Sequence, residues 1–272
     1  MSVVAGLFML LSGRLLGPHR GAAAAALGIA AYTLLYVGSG DALLVQTPGW
    51  RAVLIDGGTN PSLLSDALGR RLPLPRRGLD WLLVGGVSRE QLAAVPDILP
   101  RFPVGNVLWA GTPSGSRAAL TLQERLVQSD TAIIPAQTGQ TLDLGSGALL
   151  RVLSVGVRGA VLPLEWRNFH ALLPLGMDFD ALDTLKKDPH MVQIEALLLA
   201  DNGLASPNPP EWIGKLRPQA ILLSADEDDP RSQPDPETLD SVDGYTLLRT
   251  DRNGWIELST DGELMWVEVE RE

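Results

Sequence analysis

Val37-Gly38-Ser39-Gly40-Asp41-Ala42-Leu43-Leu44-Val45-Gln46-Thr47-Pro48, then Ala52-Val53-Leu54-Ile55-Asp56-Gly57-Gly58, is the stretch whose reading decides the fold. Residues 43–47 and 51–55 are apolar, β-prone runs, and Pro48-Gly49 between them is a hairpin signal. Gly38 and Gly40 permit a tight bend ahead of the first run. The next informative stretch is Trp81-Leu82-Leu83-Val84-Gly85-Gly86-Val87-Ser88-Arg89-Glu90-Gln91-Leu92-Ala93-Ala94-Val95. It predicts a buried strand over 82–84 and a helix over 90–99.

Outward from these two stretches, strands and helices alternate. Residues 61–72 place Leu63, Leu64, Ala67, Leu68 and Leu72 on one helical face. A strand is expected at 107–109, a helix over 120–129, and a strand at 131–134. Residues 140–155 read as a hairpin turning at Gly145-Ser146-Gly147. In the second half, strands at 171–175, 194–200 and 220–224 alternate with helices at 179–187 and 209–216. The C-terminus reads as a β-meander over 245–250, 255–260 and 264–269. Its turns, Asp251-Arg252-Asn253-Gly254 and Asp261-Gly262, carry pairs that tight hairpins favour. This order predicts an α+β protein, a four-layer αβ/βα sandwich of two similar halves. No period indicates a solenoid.

The opening unit resembles that of a metallo-β-lactamase fold, and is similar to the C-terminal hydrolase-like domain of the ComEC/Rec2 family of DNA-uptake channel proteins. The resemblance covers roughly residues 32–268 and is most specific at 37–58. It implies that the strand at 82–84 would deliver a His-x-His-x-Asp-His cluster to two metal ions. Gly86, Ser88, Glu90 and Gln91 stand at those positions. The family's His-His-Gly turn corresponds to Asp201-Asn202-Gly203, its late His-Pro to Gln233-Pro234, and its bridging carboxylate falls near Asp178.

A bound metal is what makes water nucleophilic near neutral pH in this chemistry. The chain has no Cys and three histidines, His19, His170 and His190, so catalytic imidazole and thiolate ligands are absent from the matching stations. The expectation is a pseudoenzyme with no catalytic residue, no metal and no cofactor. Its expected work is that of a binding or scaffold subunit with a protein partner, accessory to a membrane complex or a DNA-uptake channel. One alternative is a metal-dependent phosphodiesterase or nuclease with rearranged ligands Glu90, Asp178, Asp201 and His170. Another is a small-molecule binder with a concave apolar pocket bordered by Gly86, Ser88 and Asn202.

Composition narrows the partners. The 272 residues carry a formal net charge of −10, and lysine occurs only at 186, 187 and 215. An acidic surface repels phosphate backbones, so direct nucleic-acid binding is not expected. Residues 21–37 carry no charge, and 2–17 only Arg14. A division into an apolar N-terminal helical segment, 1–31, and a globular domain, 32–272, follows. Residues 1–31 are expected to attach the chain to a membrane, with Arg14, His19 and Arg20 on the cytoplasmic side and the domain on the opposite face.

Other features read as structural. Ser39 sits between two strands, whereas a nucleophile elbow needs a strand and a helix. Residues 111–116 are rich in Gly and Ser but lack the Gly-Lys-Ser/Thr of a phosphate loop. The run Asp226-Glu227-Asp228-Asp229 matches no calcium-loop spacing. His190 is expected at the surface, and Trp50, Trp109, Trp212, Trp255 and Trp266 in core packing.

Overall fold

The computed structural model describes residues 8–10, 30–72, 77–129, 131–187, 193–229, 231 and 233–271. His190, expected at the surface, lies outside them. Seventeen strands are described. The first sheet has the order β1-β17-β16-β2-β3-β4-β5-β6-β7, and the second β15-β14-β13-β12-β11-β9-β8, with β10 paired to β11. In the first sheet, β1 (Phe8–Leu10), β2 (Ala30–Leu34), β3 (Ala42–Gln46), β4 (Ala52–Asp56), β5 (Leu79–Val84), β6 (Val104–Trp109) and β7 (Ala132–Pro135) meet β16 (Ile256–Thr260) and β17 (Met265–Val269). The second sheet is built from β8 (Thr141–Gly145), β9 (Ala148–Arg151), β10 (Ser154–Val155), β11 (Ala160–Trp166), β12 (Phe169–Leu173), β13 (Ala196–Leu198), β14 (Ala220–Leu223) and β15 (Leu247–Arg249).

Side-chain alternation explains the layering. Along β4, Val53 and Ile55 point into a core between the sheets, while Ala52 and Leu54 face a second core under helices. Strands buried on both faces read as continuous apolar runs. The central core joins Tyr32, Leu83 and Leu108 to Leu162, Trp166 and Leu198. Tyr32 and Phe169 stack within it, their centroids 4.8 Å apart. The outer core of the first sheet receives helices α1 (Pro61–Arg71), α2 (Arg89–Leu92), α3 (Val95–Ile98) and α4 (Arg117–Gln128). That of the second receives α5 (Phe179–Lys187) and α6 (Pro210–Leu216). Helices α7 (Pro236–Ser241) and α8 (Thr250–Asn253) complete the described elements. The expected four-layer α+β sandwich is therefore present.

Several local expectations change. Helix α1 starts where its sequence signals, because Asn60 Oδ1 accepts the N–H groups of Ser62 and Leu63 ahead of Pro61. The helix expected over 90–99 is two short ones, since Pro96 in the first turn of α3 cannot continue the hydrogen-bond ladder. Helix α4 begins three residues earlier than expected, capped by Ser116.

The C-terminal meander is not one sheet. Strand β15 runs parallel to β14 in the second sheet, and α8 returns the chain to the first. Thr250 Oγ1 fixes this switch by exchanging hydrogen bonds with the backbone of Ala225 just beyond β14. The Asp261-Gly262 hairpin is present as expected.

The N-terminus also departs from its reading. Phe8–Leu10 is a strand against β17, and Ala30 and Ala31 open β2, so neither belongs to an apolar helix. No helix among the described residues is long and apolar enough to cross a membrane.

Candidate functional site

The parallel strands of both sheets end at one rim, and the loops after β4, β5, β13 and β14 meet there. Asp56 closes β4 in a left-handed conformation, φ 54°, and is fully buried. Its Oδ1 accepts the N–H groups of Gly85 (2.8 Å) and Gly86 (3.3 Å), which pins the start of the loop after β5. Burial, then the nearby charge of Asp41, push the Asp56 carboxyl well above the usual carboxylate range.

That loop is held from two other directions. Ala160 donates to Gly85 and Val87 to Arg158, so the turn between β10 and β11 is sewn to residues 85–87. Gln91 folds back over Gly86: its Oε1 accepts the Ser88 N–H at 3.2 Å and its Nε2 donates to the Leu175 carbonyl at 2.7 Å. A Cβ on residue 86 would lie 2.0 Å from Gln91 Oε1, so a larger residue there would displace the glutamine amide above it. Gly40, φ 94°, is more tightly constrained, because a Cβ would stand 1.6 Å from the backbone carbonyl oxygen of Glu90.

A cleft of about 170 Å³ opens above these groups, lined by Asp41, Ser88, Glu90, Gln91, Arg158, Asp201, Asn202, Leu204, Arg231 and Gln233. Of the eight residues that the sequence reading sets against metal ligands, six share this cleft, Gly86 lies beneath Gln91, and Asp178 lies outside it. The pocket expected there as apolar is lined by polar and charged residues apart from Leu204.

Two arginines cross it. Arg158 Nη2 donates to Asp201 Oδ2 at 2.5 Å. Arg231 donates to both Asp229 carboxylate oxygens, at 3.0 and 3.2 Å, and to Asn202 Oδ1 at 3.3 Å. Its Nη1 stands 4.0 Å from Glu90. Burial opposes ionisation of Asp229, but bonds from Arg231 outweigh it and leave the carboxyl below its ordinary value. Asp41 is the reverse case. Burial, reinforced by Asp201, raises it to about 6 against the pull of Ser224 and Arg231.

The remaining candidates lie elsewhere. Asp178 caps α5, its Oδ1 accepting the Ala181 N–H at 2.9 Å. His170 sits at the opposite end of β12 beside Glu195, Nδ1 to Oε2 3.4 Å, where that hydrogen bond raises its pKa despite partial burial. The four alternative ligands thus do not converge; only Glu90 and Asp201 share the cleft. Among the described residues, no three His, Cys, Asp or Glu side chains form a metal-holding group. Ser39 is buried between strands, and Asp229 of the acidic run serves Arg231. Trp109 and Trp212 are core residues, whereas Trp50 is 47% exposed and Trp255 lies under the Arg71 guanidinium. Arg158 and Arg231 carry no sequence signal, since their carboxylate partners are chosen by the fold.

No family model and no curated protein matches the chain. Solved structures do. The metallo-β-lactamase fold protein YhfI from Bacillus subtilis aligns with a TM-score of 0.53 and 11% identity, over 81% of this chain and 96% of that one. Zn²⁺-bound PqqB from Methylobacterium extorquens aligns at 0.55 and 10%, over 80% and 97%. CmlA, a diiron β-hydroxylase from Streptomyces venezuelae, aligns at 0.51 and 14%, over 85% of this chain, which spans about half the length of CmlA (54%). At such identities the likeness is one of fold, and with the two helix-covered sheets it shows that this chain has a metallo-β-lactamase fold.

Proposed function

We propose that this is a non-catalytic protein of the metallo-β-lactamase fold, which uses its surface and emptied cleft for binding, as a subunit that joins a protein partner in a membrane complex. The observation that carries the reading is the occupation of the cleft by the chain itself. Gln91 fills the space over Gly86, and two guanidiniums engage Asp201, Asp229 and Asn202. This donor set does not fit a divalent metal. Asp201 would have to leave Arg158, and Arg231 would place a fixed positive charge beside any cation drawn to Glu90. Without such a group, water has no activator of the kind this fold's hydrolases use.

Membrane attachment belongs to the proposal on sequence grounds, because residues 21–29 are uncharged and apolar. Residues 11–29 connect β1 and β2 of one sheet. That segment is too short to cross a bilayer and return, since one crossing takes about 20 apolar residues. Attachment at the interface is therefore the form proposed.

The test is metal loading. Protein incubated with Zn²⁺ or Mn²⁺ and desalted should retain clearly substoichiometric metal by mass spectrometry, and should not hydrolyse a phosphodiester. Stoichiometric retention with hydrolysis would overturn the reading. Sedimentation with anionic vesicles tests the attachment separately.

A further inference from the structure

The charges of the cleft do not cancel. Arg158 pairs with Asp201 and Arg231 with Asp229, two guanidiniums against two carboxylates. Asp41 and Glu90 line the same cleft outside those pairs, and Glu90 reaches Arg231 only at 4.0 Å. Asp41 is 3% exposed, and its Oδ1 has no hydrogen-bond partner among the described residues. The Oε1 of Gln233, also on the cleft wall, is buried and equally without a partner. Buried acceptors left this way are uncommon, because each gives up water and receives nothing in return. The Ser224 hydroxyl, itself otherwise unpartnered among the described residues, faces Asp41 and lowers its pKa, so the Asp41 carboxylate is approached by one hydroxyl and Gln233 Oε1 by no donor among them.

We infer that the cleft binds a primary ammonium group, held by Asp41, Gln233 and Glu90. An ammonium brings three N–H donors and no acceptor, which suits three acceptor oxygens and a cleft with two more carboxylates than guanidiniums. An anion would meet that excess in the carboxylates of Asp41 and Glu90, and an apolar ligand would leave the acceptors unsatisfied. Room of about 170 Å³ takes an aminoalkyl end and little more. The group could come from a free small amine or from a lysine side chain of a partner protein. The inference rests on the non-catalytic reading, because a metal in the cleft would compete for the same carboxylates.

Isothermal titration calorimetry of the full chain, at mildly alkaline pH, tests it with 1,5-diaminopentane, Nα-acetyl-lysine methylamide and succinate. Both amines should bind one to one and succinate should not. Asp41→Asn should weaken the amines by about tenfold or more, and Gln233→Leu should weaken them several-fold, with melting curves confirming that each variant is folded. A tighter diamine assigns a free amine as ligand, and a tighter lysine derivative assigns a partner's side chain. Silence with both amines, amine binding unchanged in both variants, or binding of succinate would overturn the inference. Silence in a protein that also refuses Zn²⁺ would sink the ammonium site alone, whereas stoichiometric Zn²⁺ would sink the non-catalytic reading beneath it.

Discussion

Gln91 and Leu175, 84 residues apart, are joined across the two halves of the sandwich: the Gln91 amide donates to the Leu175 carbonyl at 2.7 Å in a buried setting. The same side chain accepts from Ser88, and its own backbone carbonyl accepts from Gly57 and Gly58. One residue thus closes the loop after β4, the loop after β5 and the segment after β12 onto each other.

Gln91→Leu leaves the Leu175 carbonyl and the Ser88 N–H without partners while keeping the volume roughly constant. The expected loss is on the order of 2 to 6 kcal/mol, from two polar groups each costing about 1–3 kcal/mol when orphaned. Urea unfolding should show a lower midpoint at an unchanged slope.

The bend at Gly40 should be far less tolerant than other left-handed glycines. Gly40→Ala drives a methyl to 1.6 Å from the Glu90 carbonyl, whereas a Cβ on Gly139, φ 85°, meets nothing within 4 Å. The first variant should lose more than about 4 kcal/mol or fail to fold, and the second about 1–2 kcal/mol from backbone strain alone. Comparing their denaturation midpoints checks both.

Asp41 predicts a stability that falls with rising pH. Its folded value, about 6, lies above the ordinary 3.8, so the folded state holds the proton longer. The contribution is complete below about pH 4 and is lost as pH rises through about 6. The loss is on the order of 3 kcal/mol. Asp56, raised in the same sense, adds to it, with Asp201 and Arg231 facing Asp41 from the other loops. Asp41→Asn should flatten the unfolding free energy between pH 4 and 7 and raise the melting temperature at alkaline pH.

His170 should titrate above its ordinary value because of Glu195. A raised histidine stabilises below its unfolded pKa of about 6.5, and that contribution disappears as pH rises through the folded value. Glu195→Gln should lower the His170 pKa in an NMR titration. It should also destabilise the protein more in mild acid than in mild base, over a constant loss from the His170 N–H that Glu195 accepts at 2.7 Å.

Much of the architecture was legible because buried strands and amphipathic helices write their periods into the chain. The run 52–55 is apolar throughout because both of its faces are covered, and α5 lies where its sequence placed it, over Phe179–Lys187. Ser88, Glu90, Gln91, Asp201, Asn202 and Gln233, which the sequence reading singles out, do line one cleft. Less legible were β11, which the reading passed over, and β15, which it assigned to the wrong sheet. Leu247 to Arg249 could pair with either neighbour on local grounds, and the bonds between Thr250 and Ala225 decide the matter across 25 residues.

The sequence by itself determined the strand and helix periods, the capped starts of helices, and the residue types standing at the rim of the sandwich. These are local consequences of side-chain alternation, proline and capping, all read within a few residues. Only the tertiary structure decided that Arg158 reaches Asp201, that Arg231 gathers Asp229 and Asn202, and that Asp41 is sealed with an oxygen lacking a donor. Charge pairing and desolvation depend on which surfaces the two sheets bring together, and no spacing along the chain encodes that distance.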